Sequence, residues 1–113
     1  MTSVLIIEDN IDLSNLFQMV LDLDKIPAAI CRNGRDAIGL VEEHLPQVVL
    51  LDMHLPHVSG ATIFAYIREN HPEINILIIT ADRDLYSEYR HQTKAFLKPM
   101  DLNVLRYEVN ALL

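Results

Sequence analysis

The sequence predicts an α/β domain in which a five-stranded parallel sheet is doubly wound, with helices on both faces. Three observations predict it. Five short apolar runs alternate with stretches of helical periodicity from one end of the 113 residues to the other. The runs are apolar on consecutive residues, as strands covered on both faces must be, where a strand with one wet face would alternate. Strand and helix alternating in this way imply right-handed crossovers and hence parallel pairing. No Ser/Gly linker, repeat or low-complexity stretch interrupts the pattern, so residues 1–113 are expected to form a single domain.

VLII (residues 4–7) reads as the first strand, and Leu13, Leu16, Phe17, Val20 and Leu21 form the buried stripe of the helix after it. AAIC (28–31) is the second strand; Ala37, Ile38, Val41 and Leu45 make the next stripe after NGRD. VVLL (48–51) is the third, followed by a helix marked by Ile63, Phe64 and Ile67. INILIIT (74–80) is the fourth, and the segment DRDLYSEYRHQT behind it has only Leu85, Tyr86 and Tyr89 to bury. That fourth helix should be the least firmly held. AFL (95–97) is the fifth strand, and Leu102, Leu105, Val109 and Leu112 stripe the last helix. Since this helix runs to the chain end, with no DNA-binding or second catalytic segment behind it, the expectation is a module cut from a longer protein.

Composition narrows the function classes. Half of the residues are hydrophobic and 22% charged, as in ordinary globular domains. A net charge of −7 disfavours direct binding to nucleic acid or anionic lipid, both of which need a positive face. Cys31 is the only cysteine, which excludes an intramolecular disulfide and a cysteine metal cluster and reads as a small core residue. With no signal segment and no apolar run near the roughly 20 residues that span a bilayer, a cytoplasmic location is expected.

In open parallel sheets the ligand sits at the C-terminal strand ends. Glu8 and Asp9 follow the first strand, Asp52 the third and Lys98 the fifth, while Thr80 ends the fourth. Each alone has an ordinary explanation: a capping acid, a β-branched strand end, a lysine entering a turn. Together they describe a site. Three carboxylates crowded on one edge disfavour full ionisation unless a cation joins them, and oxygen donors suit a hard ion such as Mg²⁺. Lys98 and the Thr80 hydroxyl would then serve phosphoryl oxygens, so the chemistry indicated is phosphoryl transfer. His44, His57, His71 and His91 lie in turns or helix ends without ligand spacing and do not suggest zinc.

LIIEDN, VVLLDMHLPHVSG, LIITA and FLKP, in this order and spread over the chain, closely resemble the sequence blocks of response-regulator receiver domains of two-component signalling. The resemblance implies a flavodoxin-like (βα)5 fold with strand order 2-1-3-4-5 and a phosphoacceptor at Asp52. It assigns Asp9 to Mg²⁺ directly, Glu8 through water, and the backbone carbonyl of His54 as a further ligand. Thr80 and Lys98 would contact the phosphoryl group, Ala81 would leave room for it, and a cis Lys98–Pro99 bond would aim the lysine inward. Pro56 and Gly60 would shape the loop after the acceptor. His54 and Asp82 occupy positions that vary in the family and tune phosphoryl lifetime, with the His54 side chain exposed at the rim.

The implied partners are a sensor histidine kinase or phosphotransfer protein, an effector domain outside this chain, and a second copy through the helix 4 to helix 5 face. The chain would be a regulator, not an enzyme. Two departures bear on its output. Thr80 to Lys98 is about one helical turn short, with QTKA where Gly-Ala is common, so the fourth helix region must be cut down. Ala95 stands where the family has an aromatic switch residue, and Phe96, one place later, should face the opposite core. These departures motivate an alternative, a pseudo-receiver acting as a constitutive protein-interaction module. A Mg²⁺-dependent phosphatase with an aspartyl-phosphate intermediate would use the same acids. It would also need an acid at position 54, which is histidine, and a cap insertion, which is missing.

Overall fold

The apolar runs and periodic stretches take up the expected elements in the computed structural model, which describes residues 2–113. Strands β1 (Val4–Ile7), β2 (Ala28–Cys31), β3 (Val48–Leu51), β4 (Asn75–Thr80) and β5 (Lys94–Leu97) alternate with helices α1 (Ile11–Leu23), α2 (Gly34–His44), α3 (Gly60–Asn70), α4 (Arg83–Tyr89) and α5 (Leu102–Leu112). All pairings are parallel, in the order β2-β1-β3-β4-β5, the flavodoxin-like order that the sequence resemblance implies. The Lys98–Pro99 bond is cis.

Each helix opens on a side chain that accepts a hydrogen bond from its first turn: Asn10 from Leu13, Asn33 from Asp36, Ser59 from Thr62, Asp82 from Asp84 and Leu85, and Asp101 from Asn103 and Val104. These caps satisfy N–H groups that have no partner inside the helix, and they fix where each connection ends.

Successive strand residues face opposite layers. Val4, Ile6, Val48, Leu50, Leu77 and Ile79 pack with Phe17 and Leu21 of α1 and Leu105 and Val109 of α5. Leu5, Ile7, Val49, Leu51, Ile76 and Ile78 pack with Ala37 and Val41 of α2, Ile63, Phe64 and Ile67 of α3, and Tyr89 of α4. Cys31 is buried in this second layer. As expected of the weakest helix, α4 has seven residues, of which only Tyr89 is buried.

Three sequence expectations are corrected. Leu45, assigned to the buried stripe of α2, is the helix C-cap at φ 43° and is 59% exposed, because a left-handed residue leaves the helical face on which its spacing placed it. Ile74 precedes β4, and β5 begins one residue early, at Lys94. Beyond the apolar layers, the Tyr66 hydroxyl and His71 Nε2 both meet Glu42 Oε1, at 2.5 and 2.6 Å, and tie α3 to α2.

The N-terminus of α2 lies against the loop between β3 and α3. Gly34 N–H donates to the Pro56 carbonyl at 3.0 Å, and a Cβ on Gly34 would stand 1.9 Å from the Val58 oxygen. Gly39, mid-helix, has nothing within 4 Å of such a Cβ. Gly34→Ala should therefore destabilise the domain by about 2 kcal/mol through overpacking, while Gly39→Ala should stabilise it by up to about 1 kcal/mol. Urea unfolding of both variants checks this, and equal midpoints would contradict the close approach.

Candidate functional site

Four strands end at one edge of the sheet in polar residues, and three of these continue the ladder one rung beyond the strand. Glu8 N–H donates to the Cys31 carbonyl at 2.9 Å, Asp52 N–H to Ile7 at 2.9 Å, and Lys98 N–H to Thr80 at 2.8 Å. The backbone under the site is thus as fixed as the sheet itself. Thr80, the last residue of β4, is fully buried, and Glu8 and Asp52 are nearly so, whereas Asp9 is exposed.

Lys98 Nζ lies 2.7 Å from Glu8 Oε1 and 3.6 Å from Asp52 Oδ2. Glu8 Oε2 accepts from Asn10 N–H at 3.1 Å and Asp52 Oδ1 from His54 N–H at 3.3 Å. Burial pushes Glu8 up to about 7 and the Asp52 charge adds to this, against the lowering pull of Lys98 and the Asn10 N–H. Burial also raises Asp52, opposed first by the charge of Lys98. For Lys98 burial acts to lower the ammonium, but its hydrogen bond to Glu8 and the two carboxylate charges outweigh it, and its pKa is raised.

Glu8, Asp9 and Asp52 each present an oxygen within 4.8 Å of the others. One ammonium against three carboxylates leaves the cluster short of positive charge. An all-oxygen donor set fits a hard divalent cation such as Mg²⁺ and is a poor one for zinc. The sequence-derived residues Glu8, Asp9, Asp52, Thr80 and Lys98 are therefore brought to one edge.

The rim is built by two loops. After β3, Gly60 lets α3 start close to the site: a Cβ there would fall 2.5 Å from Met53 Cα and 2.7 Å from the Asp52 carbonyl oxygen. The His54 side chain is 65% exposed, and its Nε2 lies 3.1 Å from Asp82 Oδ2. Asp82 N–H in turn donates to Thr80 Oγ1 at 3.1 Å. Hydrogen bonds from Leu85 N–H, then from His54, hold the Asp82 carboxyl below its ordinary range. Sequence reasoning placed His54 at the rim, gave Asp82 only as a position that varies in the family, and missed their contact, which joins residues 28 positions apart. Phe96 packs in the α1/α5 layer and Ala95 in the opposite one, as strand parity requires.

The family model described as "Response regulator receiver domain" matches residues 4–110. The luminescence regulatory protein LuxO of Vibrio campbellii is 31% identical over 108 residues, covering 92% of this chain and 24% of LuxO. The polar-differentiation response regulator DivK of Brucella anthropi is 32% identical over 81 residues, 70% of this chain and 66% of DivK. The chain thus spans about a quarter of the length of the LuxO proteins it matches. Among solved structures, the signal receiver domain of a putative LuxO repressor protein from Vibrio parahaemolyticus superposes with a TM-score of 0.87 at 28% identity, covering 98% of this chain and 89% of that one. The response regulator TrrA from Thermotoga maritima, in complex with Mg²⁺ and BeF, has the same fold at a TM-score of 0.88 and 22% identity, with 100% of both chains covered. The chain belongs to the response-regulator receiver family.

A carboxyl raised on folding binds its proton more tightly in the native state. The stability it contributes is present below its unfolded pKa and is lost as pH rises through its folded one. For Glu8 that window runs from 4.5 to about 7. In the presence of a chelator the melting midpoint should fall by several degrees between about pH 5 and pH 8, and Glu8→Gln should flatten the fall. Calorimetry across that range checks it; parallel profiles for the two proteins would show that Glu8 does not titrate there.

Proposed function

We propose that this receiver domain accepts a phosphoryl group onto Asp52 from the phosphohistidine of a sensor histidine kinase or phosphotransfer protein, and that phosphorylation alters a protein-binding surface. The observation that supports this reading best is Asp52 itself, a buried carboxylate beside Lys98 and within reach of two further acids. In the transfer a carboxylate oxygen forms the O–P bond as the N–P bond breaks, and the bonding pair leaves with the imidazole nitrogen. Water later attacks the acyl phosphate, restoring the carboxylate and releasing inorganic phosphate. The domain is a timed regulator, not an enzyme acting on a separate substrate.

Glu8, Asp9, Asp52 and the backbone carbonyl of His54 would hold Mg²⁺. The ion would supply neutralisation of the charge that builds on the phosphoryl oxygens. Lys98 would turn its ammonium from Asp52 to one of those oxygens. The Thr80 hydroxyl accepts from Asp82 N–H and so keeps its own proton to donate to another. Because the same hydroxyl touches the start of α4, a shift of Thr80 toward the phosphoryl group would be passed to that helix through Asp82.

Among the described residues no helix is long and apolar enough to cross a membrane, and we read the domain as cytoplasmic, attached to an effector outside this chain and able to pair through the α4 to α5 face. A second reading, a pseudo-receiver that binds its partner constitutively, is favoured by the brevity of α4 and by Ala95 on the switch side of β5.

Incubation with Mg²⁺ and a small-molecule phosphodonor should add the mass of one phosphoryl group, and Asp52→Ala should abolish the gain. An unmodified wild-type protein under a donor that phosphorylates a control receiver would sink the proposal. A partner that binds Asp52→Ala and the phosphoprotein equally would establish the second reading. For the ion, Mg²⁺ at ten times its Kd should stabilise the fold by about 1.4 kcal/mol, a melting shift of roughly 5–10 °C. Asp9→Asn should raise metal-free stability and lose most of that shift; a variant less stable without metal and equally responsive to it would show that the carboxylates do not form one site.

A further inference from the structure

On the face away from α1 and α5, α4 is shorter than α3 and meets it through Tyr89. Seven residues of α4 rise about 10 Å, against about 16 Å for the eleven of α3. The result is a groove of about 370 Å³ lined by Ala61, Phe64, Ala65, Arg68, Tyr89 and Gln92. Its floor is apolar: Phe64 and Tyr89 are buried and meet edge to face, with centroids 5.1 Å apart. Its α3 wall is low, because Ala61 and Ala65 are small and exposed.

Among the described residues, Arg68 is the one charge lining this groove. Its guanidinium stacks over Phe64 at 5.1 Å, donates to the Ile74 carbonyl at 2.9 Å and reaches Thr93 Oγ1 at 3.4 Å. Among the described residues no carboxylate lies within 4 Å of it, in a chain with 16 acids and nine Lys and Arg. Burial lowers its pKa, with no charge partner to offset the loss of water. Two contacts also leave most of its five N–H donors unused.

We infer that the α3–α4 groove docks a helix of a partner protein, one that places an apolar side chain over Phe64 and Tyr89 and a carboxylate on Arg68. Small residues permit close helix approach, and the half-buried guanidinium supplies the charge complement that an acid needs. Arg90, one residue past the Tyr89 wall, stacks over Tyr86 at 5.5 Å and likewise has no acid within 4 Å among the described residues, while the charge of Glu88 acts on the Tyr89 hydroxyl. This surface lies outside the acidic site, so the inference does not depend on phosphorylation of Asp52.

The test is an NMR titration of the full chain with an Ala-rich helical peptide carrying two Leu residues one turn apart and a Glu on the next turn. Shifts should be confined to the groove residues. Arg68→Gln should weaken binding about tenfold, the loss expected for one charge-assisted hydrogen bond. Ala65→Leu fills the groove without touching the Arg68 contacts and should weaken it comparably, and a peptide with Lys in place of Glu should not bind. Both variants should still take up a phosphoryl group as the wild type does, which separates this surface from the acidic site. Shifts elsewhere, equal binding of the Lys peptide, unchanged affinity in Ala65→Leu, or no binding at millimolar peptide would each overturn the assignment.

Discussion

Two carboxylates are buried side by side at the end of this sheet, and one ammonium reaches both. An ionised group removed from water without a partner costs several kcal/mol, and deleting one member of such a pair typically costs about 3–5 kcal/mol, a large part of the stability of a domain this size. Lys98 therefore constrains more than its own position. It must enter from the end of β5, a half-exposed edge strand, and its backbone N–H is bonded to the Thr80 carbonyl, so the same residue that neutralises the acids also ties β5 to β4. The placement of β5, Thr80 and both carboxylates follows from that one amine.

The path from the site to the surface is short. Thr80 Oγ1 accepts from the backbone of Asp82; the Asp82 carboxylate caps α4 through Asp84 and Leu85 and also meets His54 from the loop after β3. The helix at the end of this chain of contacts is the one with least to hold it, since a single buried side chain anchors seven residues. Elements with few buried contacts open at low free-energy cost. A change at Thr80 thus acts on the least stable helix first, through a cap that it touches directly.

The alternation of apolar runs and helical stripes in the sequence specified the five strands, the five helices and the edge on which the acids gather, because these depend on local period and on what must follow a buried strand. Contacts between elements remote in the chain were not legible. Nothing in the spacing of His54 and Asp82 announces that they meet, and Glu42, Tyr66 and His71 converge only once α2 lies beside α3. Ser14, completely buried on a helix whose stripe is otherwise apolar, is polar and so escapes a periodicity search; it donates to the Ile11 carbonyl and accepts from Arg32. Leu45 failed in the opposite direction. Its hydrophobicity and its spacing both fit α2, and only the left-handed turn into Pro46 takes it out.

The register of β1 and β3 carries a further consequence. VLII lies level with VVLL, residue for residue, and both strands are buried on both faces. Where one face is wet, a slip of one residue exposes a whole apolar row, but here a slip would merely exchange one greasy layer for the other. Side-chain polarity inside the strands says little about which alignment is right. The polar ends do: moving β1 one place along would drag Glu8 into the sheet interior, away from Lys98, or leave the last rung of β3 without Ile7. The charged residues at the edge thus work as end-stops for strands that could otherwise slide, so the alignment of the central sheet is set by the same atoms that equip it for chemistry.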